Sequence, residues 1–252
     1  MWLVLFGFKT ALRLLGIALV WWPATAALAA CETVSETGHD YVVCAFDLRR
    51  DNLGLYWQGA DGAPLGGAGP LASLTESKGR RLVFAMNAGM YDTALAPVGL
   101  YIENGRMLHK ANTKNGFGNF HMKPNGVFYF GDGMAGVMET GRYLKARLNP
   151  SFATQSGPML VIDGQIHPKF QETGTSEKIR NGVGVRDSNT VIFAISEDPV
   201  SFYAFASLFR DRLHTPNALF LDGSISTLYA PPMPSLGGWR ELGPMLGVTA
   251  PP

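Results

Sequence analysis

The sequence predicts one α+β domain built on a mixed, largely antiparallel sheet with a few helices. Hydrophobic residues make up 46% of the 252-residue chain, which is enough for a sizeable core and excludes a disordered chain. The chain also contains 30 glycines and 16 prolines, and short apolar segments alternate with turn sequences, as in strands joined by hairpins. The order of strands and helices is too irregular for a doubly wound parallel fold.

The start of the chain has the composition of a secretory signal peptide. Two basic residues precede an apolar run over residues 14–22, and small residues then lead up to position 30. A membrane anchor is the alternative, but Pro23 and the short apolar run argue against it, because a spanning helix needs about 20 apolar residues. We therefore expect residues 1–30 to be a signal peptide and residues 31–252 to form a periplasmic or secreted domain.

The two cysteines, Cys31 and Cys44, lie close together near the start of the mature chain. In an oxidising compartment we expect them to pair, and a disulfide closing so short a loop would contribute roughly 2–3 kcal/mol to stability. The sequence from Leu28 to Cys31 also resembles a bacterial lipoprotein signal, in which Cys31 would carry lipid and could not pair. The second cysteine favours the disulfide, and both alternatives remain open here. We expect the chain to contact a membrane only through the signal peptide or, if Cys31 is lipidated, through that lipid.

Strands are predicted wherever short apolar or alternating segments end in turn residues. These segments cover residues 41–48, 53–57, 81–86, 98–102, 106–108, 126–130, 136–139, 159–162, 165–167, 182–186, 190–195 and 218–221. Tight turns predict four hairpins, around residues 103–105, 131–133, 163–164 and 187–189. We also expect the first two strands, 41–48 and 53–57, to pair as a hairpin.

Helices are predicted over residues 71–78 and 201–213. In the second segment Phe202, Phe205 and Phe209 recur at helical spacing, which is typical of a helix with one buried face. Because this helix lies between two predicted strands, it indicates one crossover connection within the sheet.

Polar residues stand beside glycine where several apolar strands begin or end. Asn87 and Asp222 each follow a strand, and Gln155 and Ser156 precede one. Each can be ordinary turn chemistry, because such side chains bond their own backbone in turns. Three such places together favour a shared cleft, since glycine lets a ligand approach the backbone closely.

Two further segments carry residues suited to an anion. His121, Lys123 and Asn125 lie together around a proline, and this loop could present an imidazole and an ammonium group. A solvated loop is the alternative. Arg180 precedes a glycine-spaced strand, and arginine is suited to forked contact with phosphate. A lone arginine before a strand is, however, more often a surface residue.

Several enzyme classes are not indicated by the sequence. It contains no Gly-x-Ser-x-Gly elbow, no His-Glu-x-x-His, no Cys-x-x-Cys and no phosphate loop. The 5 histidines have no local metal-ligand spacing. We therefore predict no cofactor, although a divalent ion stays open. The net charge of +1 gives no basic field, so no nucleic-acid partner is expected.

Five segments in order resemble the signatures of the phosphodiester glycosidase family. They are AMNAGMY at 85–91 with PVGL at 97–100, KPNGVF at 123–128, TQSGPML at 154–160, RNGVGV at 180–185 and LDGSIS at 221–226. The resemblance covers roughly residues 40–248. Ser224 departs from the pattern, since the last motif often has a second glycine there. Residues 88–91 also depart, because the first motif often reads Gly-Gly-Phe-Phe. Both departures fit a bacterial exported subgroup.

The resemblance implies hydrolysis of the C1–O bond in a sugar-1-phosphodiester of the N-acetylglucosamine type, releasing sugar and a phosphomonoester. Such a reaction needs a carboxylate beside the sugar, and Asp222 is the candidate. Arg180 and His121 would stabilise the departing phosphate. The residues expected to bind substrate are Asn87, Gly89, Lys123, Asn125, Gln155, Ser156, Gly223 and Ser226. The expected partner is a sugar phosphate or a cell-envelope glycan.

The sequence leaves the stereochemistry and two other functions open. Asp92 and Asp163 could each supply a second carboxylate, but both stand in turn-like sequence. Retention or inversion at the sugar carbon is therefore undetermined. A non-catalytic module that binds envelope glycan would use the same polar cleft. A phosphodiesterase that breaks the P–O bond is the other alternative, and such enzymes commonly use bound metal.

Overall fold

The computed structural model describes residues 1–2, 31–238 and 240–252. The predicted signal peptide falls almost entirely on residues 3–30, outside the described residues. The strands are Cys31–Glu36 (β1), His39–Asp47 (β2), Asn52–Tyr56 (β3), Arg81–Asn87 (β4), Tyr101–Glu103 (β5), Arg106–His109 (β6), Gly126–Gly131 (β7), Met134–Glu139 (β8), Phe152–Ser156 (β9), Met159–Ile162 (β10), Gln165–Ile166 (β11), Asn181–Val185 (β12), Thr190–Ser196 (β13), Asn217–Phe220 (β14), Leu228–Tyr229 (β15) and Met245–Ala250 (β16). The helices are Ala68–Ser77 (α1), Thr140–Ala146 (α2) and Phe202–Ser207 (α3).

In the described part of the chain the strands form three sheets. The seven-stranded sheet has the order β1-β2-β13-β12-β14-β10-β11, the four-stranded sheet β15-β4-β16-β3, and the five-stranded sheet β6-β5-β9-β7-β8. Every pairing of named strands is antiparallel. The predicted α+β class with a largely antiparallel sheet is confirmed.

The four hairpins predicted from tight turns are confirmed. They are β5–β6, β7–β8, β10–β11 and β12–β13. In three of them an Asn or Asp followed by Gly takes positive φ, as at Asn104 (51°) and Gly105 (73°). This geometry matches the twist of the paired strands, which is why such dipeptides mark hairpins.

The predicted hairpin between residues 41–48 and 53–57 is wrong. β2 pairs with β1 and β13, while β3 pairs with β16 in another sheet. The true hairpin partner of β2 precedes it, because Thr37 and Gly38 take positive φ (49° and 83°) and form the turn. β1 and β16, the true partners of β2 and β3, are not among the strands predicted from apolar segments.

The crossover predicted around residues 201–213 is confirmed. α3 continues as a π-helical turn over Leu208–Arg212, in which the Leu213 N–H donates to the Leu208 carbonyl at 2.9 Å. β12 is antiparallel to both β13 and β14, so these two strands run in the same direction and α3 connects them. α1 confirms the helix predicted over 71–78 and begins earlier, at Ala68.

One aromatic core joins the three sheets. Phe46 and Phe193 come from the seven-stranded sheet, Phe84 from the four-stranded sheet and Phe128 from the five-stranded sheet. The Phe84 and Phe193 ring centroids are 4.9 Å apart, those of Phe46 and Phe84 5.0 Å, and those of Phe128 and Phe193 6.2 Å. Tilted and edge-to-face contacts at such distances are the favoured arrangements of aromatic rings. Shared packing of this kind is expected of one domain.

The Cys31–Cys44 disulfide links β1 to β2. The two residues are directly opposite in the strand register, with their Cα atoms 4.0 Å apart. A lipid thioether would need the same Cys31 sulfur, so the structure favours the disulfide over lipidation.

Among the described residues we find no helix with the length and apolar character needed to cross a membrane.

Candidate active site

The first three motif segments are neighbours in space. The Gly89 N–H donates to Thr154 Oγ1 at 3.2 Å, and a Cβ at position 89 would clash with the Gln155 carbonyl. Glycine is therefore required where the first segment crosses the third. Gly126 of the second segment pairs opposite Ser156 of the third in the β7–β9 register.

The last two segments join the same region through the backbone. The Leu221 N–H donates to the Asn181 carbonyl at 3.1 Å, which links the fifth segment to the fourth. The N–H of Phe220, the residue directly before the fifth segment, donates to the Pro158 carbonyl of the third segment at 3.0 Å. Five segments that are far apart in sequence thus form one continuous region.

A buried amide network supports the turn at Asp222. Asn87 and Asn181 have no exposed surface. Asn87 Nδ2 donates to the main-chain carbonyl of Asp222 at 3.0 Å, and Asn181 Nδ2 donates to Asn87 Oδ1 at 3.0 Å. Ser226 Oγ donates to Asn181 Oδ1 at 3.1 Å, and the Thr227 N–H donates to Asn87 Oδ1 at 2.9 Å. The network therefore holds both ends of the turn that follows β14.

Asp222 lies partly exposed in this turn, within electrostatic reach of Tyr91. Burial raises the pKa of Tyr91 to about 12, and the negative charge of Asp222 adds to the increase, while Arg240 opposes it. Tyr91 Oη donates to the Glu241 carbonyl at 2.7 Å. Next to Asp222, a Cβ at Gly223 would clash with the Phe220 ring, so glycine is required there too.

A cavity of about 340 Å³ adjoins Gly223. One wall is aliphatic, and the polar groups include Ser226, Glu197 and Arg240. Glu197 and Arg240 are not among the site residues predicted from the sequence. Neither stands in a recognisable motif, and folding alone brings the end of β13 and the segment before β16 to this cavity.

Arg180 is 2% exposed and directly precedes β12, which begins at Asn181. Its Nε and Nη2 atoms donate to the carbonyls of Val200 and Ser176 at 2.8 and 2.7 Å. Its guanidinium carbon stacks 3.6 Å from the ring centre of Phe202. Burial lowers the pKa of Arg180 to about 10. Within the described residues it forms no ion pair, and Nη1 makes no hydrogen bond.

His121 and Lys123 both hold the exposed loop over residues 113–118. Lys123 Nζ donates to the Thr113 carbonyl at 2.7 Å and to Asn115 Oδ1 at 2.9 Å. His121 Nδ1 lies 3.1 Å from the Lys114 carbonyl. These contacts give the two side chains a part in shaping the loop, and they are separate from the amide network around Asp222.

Gln155 and Asn125 fasten the base of the same loop. Gln155 Oε1 accepts from the Asn112 N–H at 2.9 Å, and its Nε2 donates to the Asn112 carbonyl at 2.8 Å. Asn125 Nδ2 donates to the Phe120 carbonyl at 2.8 Å, and its Oδ1 accepts from Thr140 at 2.9 Å. The side-chain amides of both residues therefore already form hydrogen bonds within the protein.

The remaining predicted residues differ in whether their side-chain polar atoms already form hydrogen bonds within the protein. Ser156 Oγ is buried and has no hydrogen-bond partner among the described residues. Asp163 accepts from Arg142 at 2.7 Å, and Asp92 caps its own turn through the N–H groups of residues 94 and 96. In the described part of the chain, no group of three His, Cys, Asp or Glu side chains is placed to hold a metal ion.

Three solved structures share the fold. The catalytic domain of zebrafish N-acetylglucosamine-1-phosphodiester alpha-N-acetylglucosaminidase, auto-inhibited by its pro-peptide, has a TM-score of 0.56 and 17% identity over 86% of this chain and 81% of that one. A hypothetical protein from Synechocystis has a TM-score of 0.54 and 15% identity over 87% and 61% of the two chains. A putative exported protein from Burkholderia pseudomallei K96243 has a TM-score of 0.51 and 12% identity over 83% and 74%.

Sequence comparison identifies a relative with higher identity. The uncharacterised protein YigE of Escherichia coli (strain K12) is 38% identical over 179 residues, which are 71% of this chain and 70% of YigE. The model of the phosphodiester glycosidase family matches residues 80–249, a range that contains all five motif segments. The chain therefore belongs to the phosphodiester glycosidase family.

Proposed function

We propose that this protein is an exported hydrolase that cleaves the C1–O bond of a sugar-1-phosphodiester, releasing sugar and a phosphomonoester. The observation that carries the proposal is the buried network of Asn87, Asn181 and Ser226, which supports Asp222 where the five family segments meet. Family membership supports the hydrolase class. The name of the zebrafish neighbour supports an N-acetylglucosamine-type sugar.

Asp222 is the proposed catalytic carboxylate. Its carboxylate would stabilise the oxocarbenium-like centre at C1 or activate water, the two tasks that carboxylates perform in glycoside hydrolysis. The network holds the backbone of Asp222 through Asn87, so the main chain that carries the carboxylate needs little reorganisation during the reaction. Glu197, at the adjoining cavity, is the proposed second carboxylate.

Arg180 and Arg240 are the proposed cations for the phosphate. The leaving group is a phosphate monoester with a second pKa near 6, so it needs little protonation and its charge must be stabilised instead. A buried arginine without a carboxylate partner is costly, and a bound phosphate would offset that cost. Arg240 is exposed and lines the cavity beside Gly223. Lys123 would add positive charge from the neighbouring loop, and His121 would donate a hydrogen bond.

Of the predicted substrate-binding residues, Ser156 is the best placed to gain a partner, because its buried hydroxyl has none among the described residues. Gly89 and Gly223, also predicted to bind substrate, instead allow close packing, because the Gln155 carbonyl and the Phe220 ring lie where their Cβ atoms would be. We assign Asn87, Asn125, Gln155 and Ser226 as positioning residues, since their side chains already bond the backbone around the site.

We further propose that the protein acts in the periplasm or outside the cell, on a sugar phosphate or an envelope glycan. Residues 1–30 would then be a signal peptide and residues 31–252 the mature domain. The Cys31–Cys44 disulfide supports this location, because disulfides persist in oxidising compartments.

The test is hydrolysis of a panel of sugar-1-phosphodiesters by residues 31–252, with and without chelator, in water labelled with heavy oxygen. We expect free sugar and phosphomonoester, with the label in the sugar and the same rate in chelator. Label in the phosphate would instead establish P–O cleavage by a phosphodiesterase. Folded protein that binds these compounds and turns over none of them would favour a glycan-binding module.

A further inference from the structure

A second cleft lies away from the catalytic motifs. Its volume is about 390 Å³, and it lies between α1, β3 and the β5–β6 turn. None of the residues that line it belongs to any of the five motif segments. Small-molecule sites typically have volumes of about 300–1,000 Å³, so the cleft is large enough for one ligand.

The aromatic ring of Tyr56 lines the cleft and lies against the sheet. Gly54 and Gly247 are directly opposite each other in the β3–β16 register. A Cβ on Gly54 would lie 2.6 Å from Tyr56 Oη, and one on Gly247 would lie 3.2 Å from Tyr56 Cε2. The two glycines therefore let the ring lie flat on the sheet. A tyrosine placed in this way offers an apolar face and a hydroxyl at its tip.

Two cations line the cleft, and one of them, Lys78, lies within electrostatic reach of Glu103. Lys78 and Arg80 belong to none of the ion pairs found among the described residues. Arg80 Nε and Nη2 donate to Thr249 Oγ1 and to the Thr249 carbonyl at 2.8 and 2.9 Å. The guanidinium is therefore held in place, and its Nη1 makes no hydrogen bond to the described residues. A fixed guanidinium beside an ammonium group suits a phosphate.

Glu103 lines the same cleft and is likewise held by a neighbour. Tyr101 Oη, which is buried, donates to Glu103 Oε2 at 2.7 Å. Oε1 makes no hydrogen bond to the described residues and is available as an acceptor. Burial raises the pKa of Glu103, and the positive charges of Lys78 and Arg106 oppose the increase. A carboxylate fixed by one oxygen is a suitable acceptor for the hydroxyl groups of a ligand.

We propose that this cleft is a second binding site, for an anionic saccharide of the sugar-phosphate class. The phosphate contacts Lys78 and Arg80, the hydroxyl groups donate to Glu103, and the sugar ring packs on Tyr56. The site shares no residue with the five motif segments, so it does not depend on the proposed reaction. It gives the protein a means of holding a glycan at a distance from the cavity beside Gly223.

The test is NMR titration of residues 31–252 with glucose 6-phosphate, compared with glucose and inorganic phosphate. We expect saturable shifts in the backbone amides of residues 52–60, 78–80 and 103–104, with affinity about tenfold higher for the sugar phosphate than for either fragment. Glu103→Gln keeps an acceptor for Tyr101 and should weaken binding about tenfold. Lys78→Ala should weaken it roughly fivefold.

Two controls separate this site from others. Lys110→Ala removes an exposed lysine outside the cleft and should leave these shifts unchanged. Asp222→Asn should also leave them unchanged, because Asp222 lies outside the cleft. Absence of saturable shifts at the cleft amides would overturn the proposal. Inorganic phosphate binding as tightly as glucose 6-phosphate, with no effect of Glu103→Gln, would overturn the saccharide assignment.

Discussion

At the scale of single residues, Asp222 provides the most direct test of catalysis. Asp222→Asn removes the charge and keeps the shape, while the Asn87 bond to the main chain remains. Turnover should therefore fall by at least about 10²-fold with no change in thermal unfolding. The matched control is Asp163→Asn, an exposed aspartate paired with Arg142, which should keep full activity. Activity near that of the wild type in Asp222→Asn would remove this residue from the mechanism.

Asn87 should affect the fold as well as catalysis. Asn87→Ala leaves the Thr227 N–H and Asn181 Nδ2 without their acceptor, inside a fully buried site. Because buried unpaired groups each cost about 1–3 kcal/mol, we expect the free energy of unfolding to fall by at least about 2 kcal/mol. Chemical denaturation would measure the loss. Asn115→Ala, in the exposed loop, is the control and should change the stability by less than about 0.5 kcal/mol.

Residue types at the candidate site were predictable from the sequence, but their contacts were not. The position of Asp222 after a strand and before glycine was enough to single it out. The sequence does not show that Gln155 is occupied by Asn112, because the two residues meet only through the folded loop. Glu197 and Arg240 went unnoticed for the same reason, since no local pattern marks residues that reach a cavity only after folding.

At the scale of elements, a stacked row of planar groups links the segment after β11 to α3. His167 stacks on Phe170 at 4.7 Å, Phe170 on Phe202 at 4.8 Å, and the Arg180 guanidinium on Phe202 at 3.6 Å. His167 is 1% exposed, and its Nε2 has no hydrogen-bond partner in the described part of the chain. Burial lowers its pKa to about 4, and the positive charge of Lys169 contributes, while the nearby main-chain groups of Lys123 and Pro124 oppose the decrease. The row therefore contains a neutral imidazole.

This neutral imidazole predicts a pH-dependent stability. The folded-state pKa of about 4 lies below the ordinary value of 6.5, so the unfolded chain binds the proton more readily between these values. The contribution of neutral His167 to the free energy of unfolding is complete above pH 6.5. It is lost as the pH falls towards 4, and the total loss is about 3 kcal/mol. His167→Phe keeps the stack and removes the titration. Chemical denaturation across this pH range should therefore show that the free energy of unfolding falls more steeply in the wild type than in His167→Phe. Parallel pH dependences of the two proteins would contradict the assignment.

Local elements were easier to predict from sequence than distant pairings. The hairpin turns at Asn104–Gly105 and Asp163–Gly164 are set by their own dihedral preferences, which the residue types reveal. The pairing of β3 with β16 joins segments almost 200 residues apart and depends on which apolar faces meet in the core. No turn sequence predicts a pairing between strands that are so far apart in the chain. The hairpin wrongly predicted for β2 and β3 shows the same limit.

At the scale of the whole molecule, the Cys31–Cys44 disulfide lies outside the five motif segments. Cys31 and Cys44 link β1, an edge strand of the seven-stranded sheet, to β2. Neither strand contributes a motif segment. The aromatic core around Phe84 and Phe193 joins all three sheets, so we expect the domain to unfold in one cooperative transition.

Removing the disulfide should therefore lower stability without changing the site. The double variant Cys31→Ser, Cys44→Ser frees the short loop in the unfolded chain and should lose about 3 kcal/mol in the free energy of unfolding. Reductant should lower the denaturation midpoint of the wild type and leave the variant unchanged. Activity per folded molecule should match the wild type, because the motif segments are held by their own hydrogen bonds and by the core. A loss of activity in variant protein that is still folded would show that the link between β1 and β2 supports the candidate active site, and would contradict this prediction.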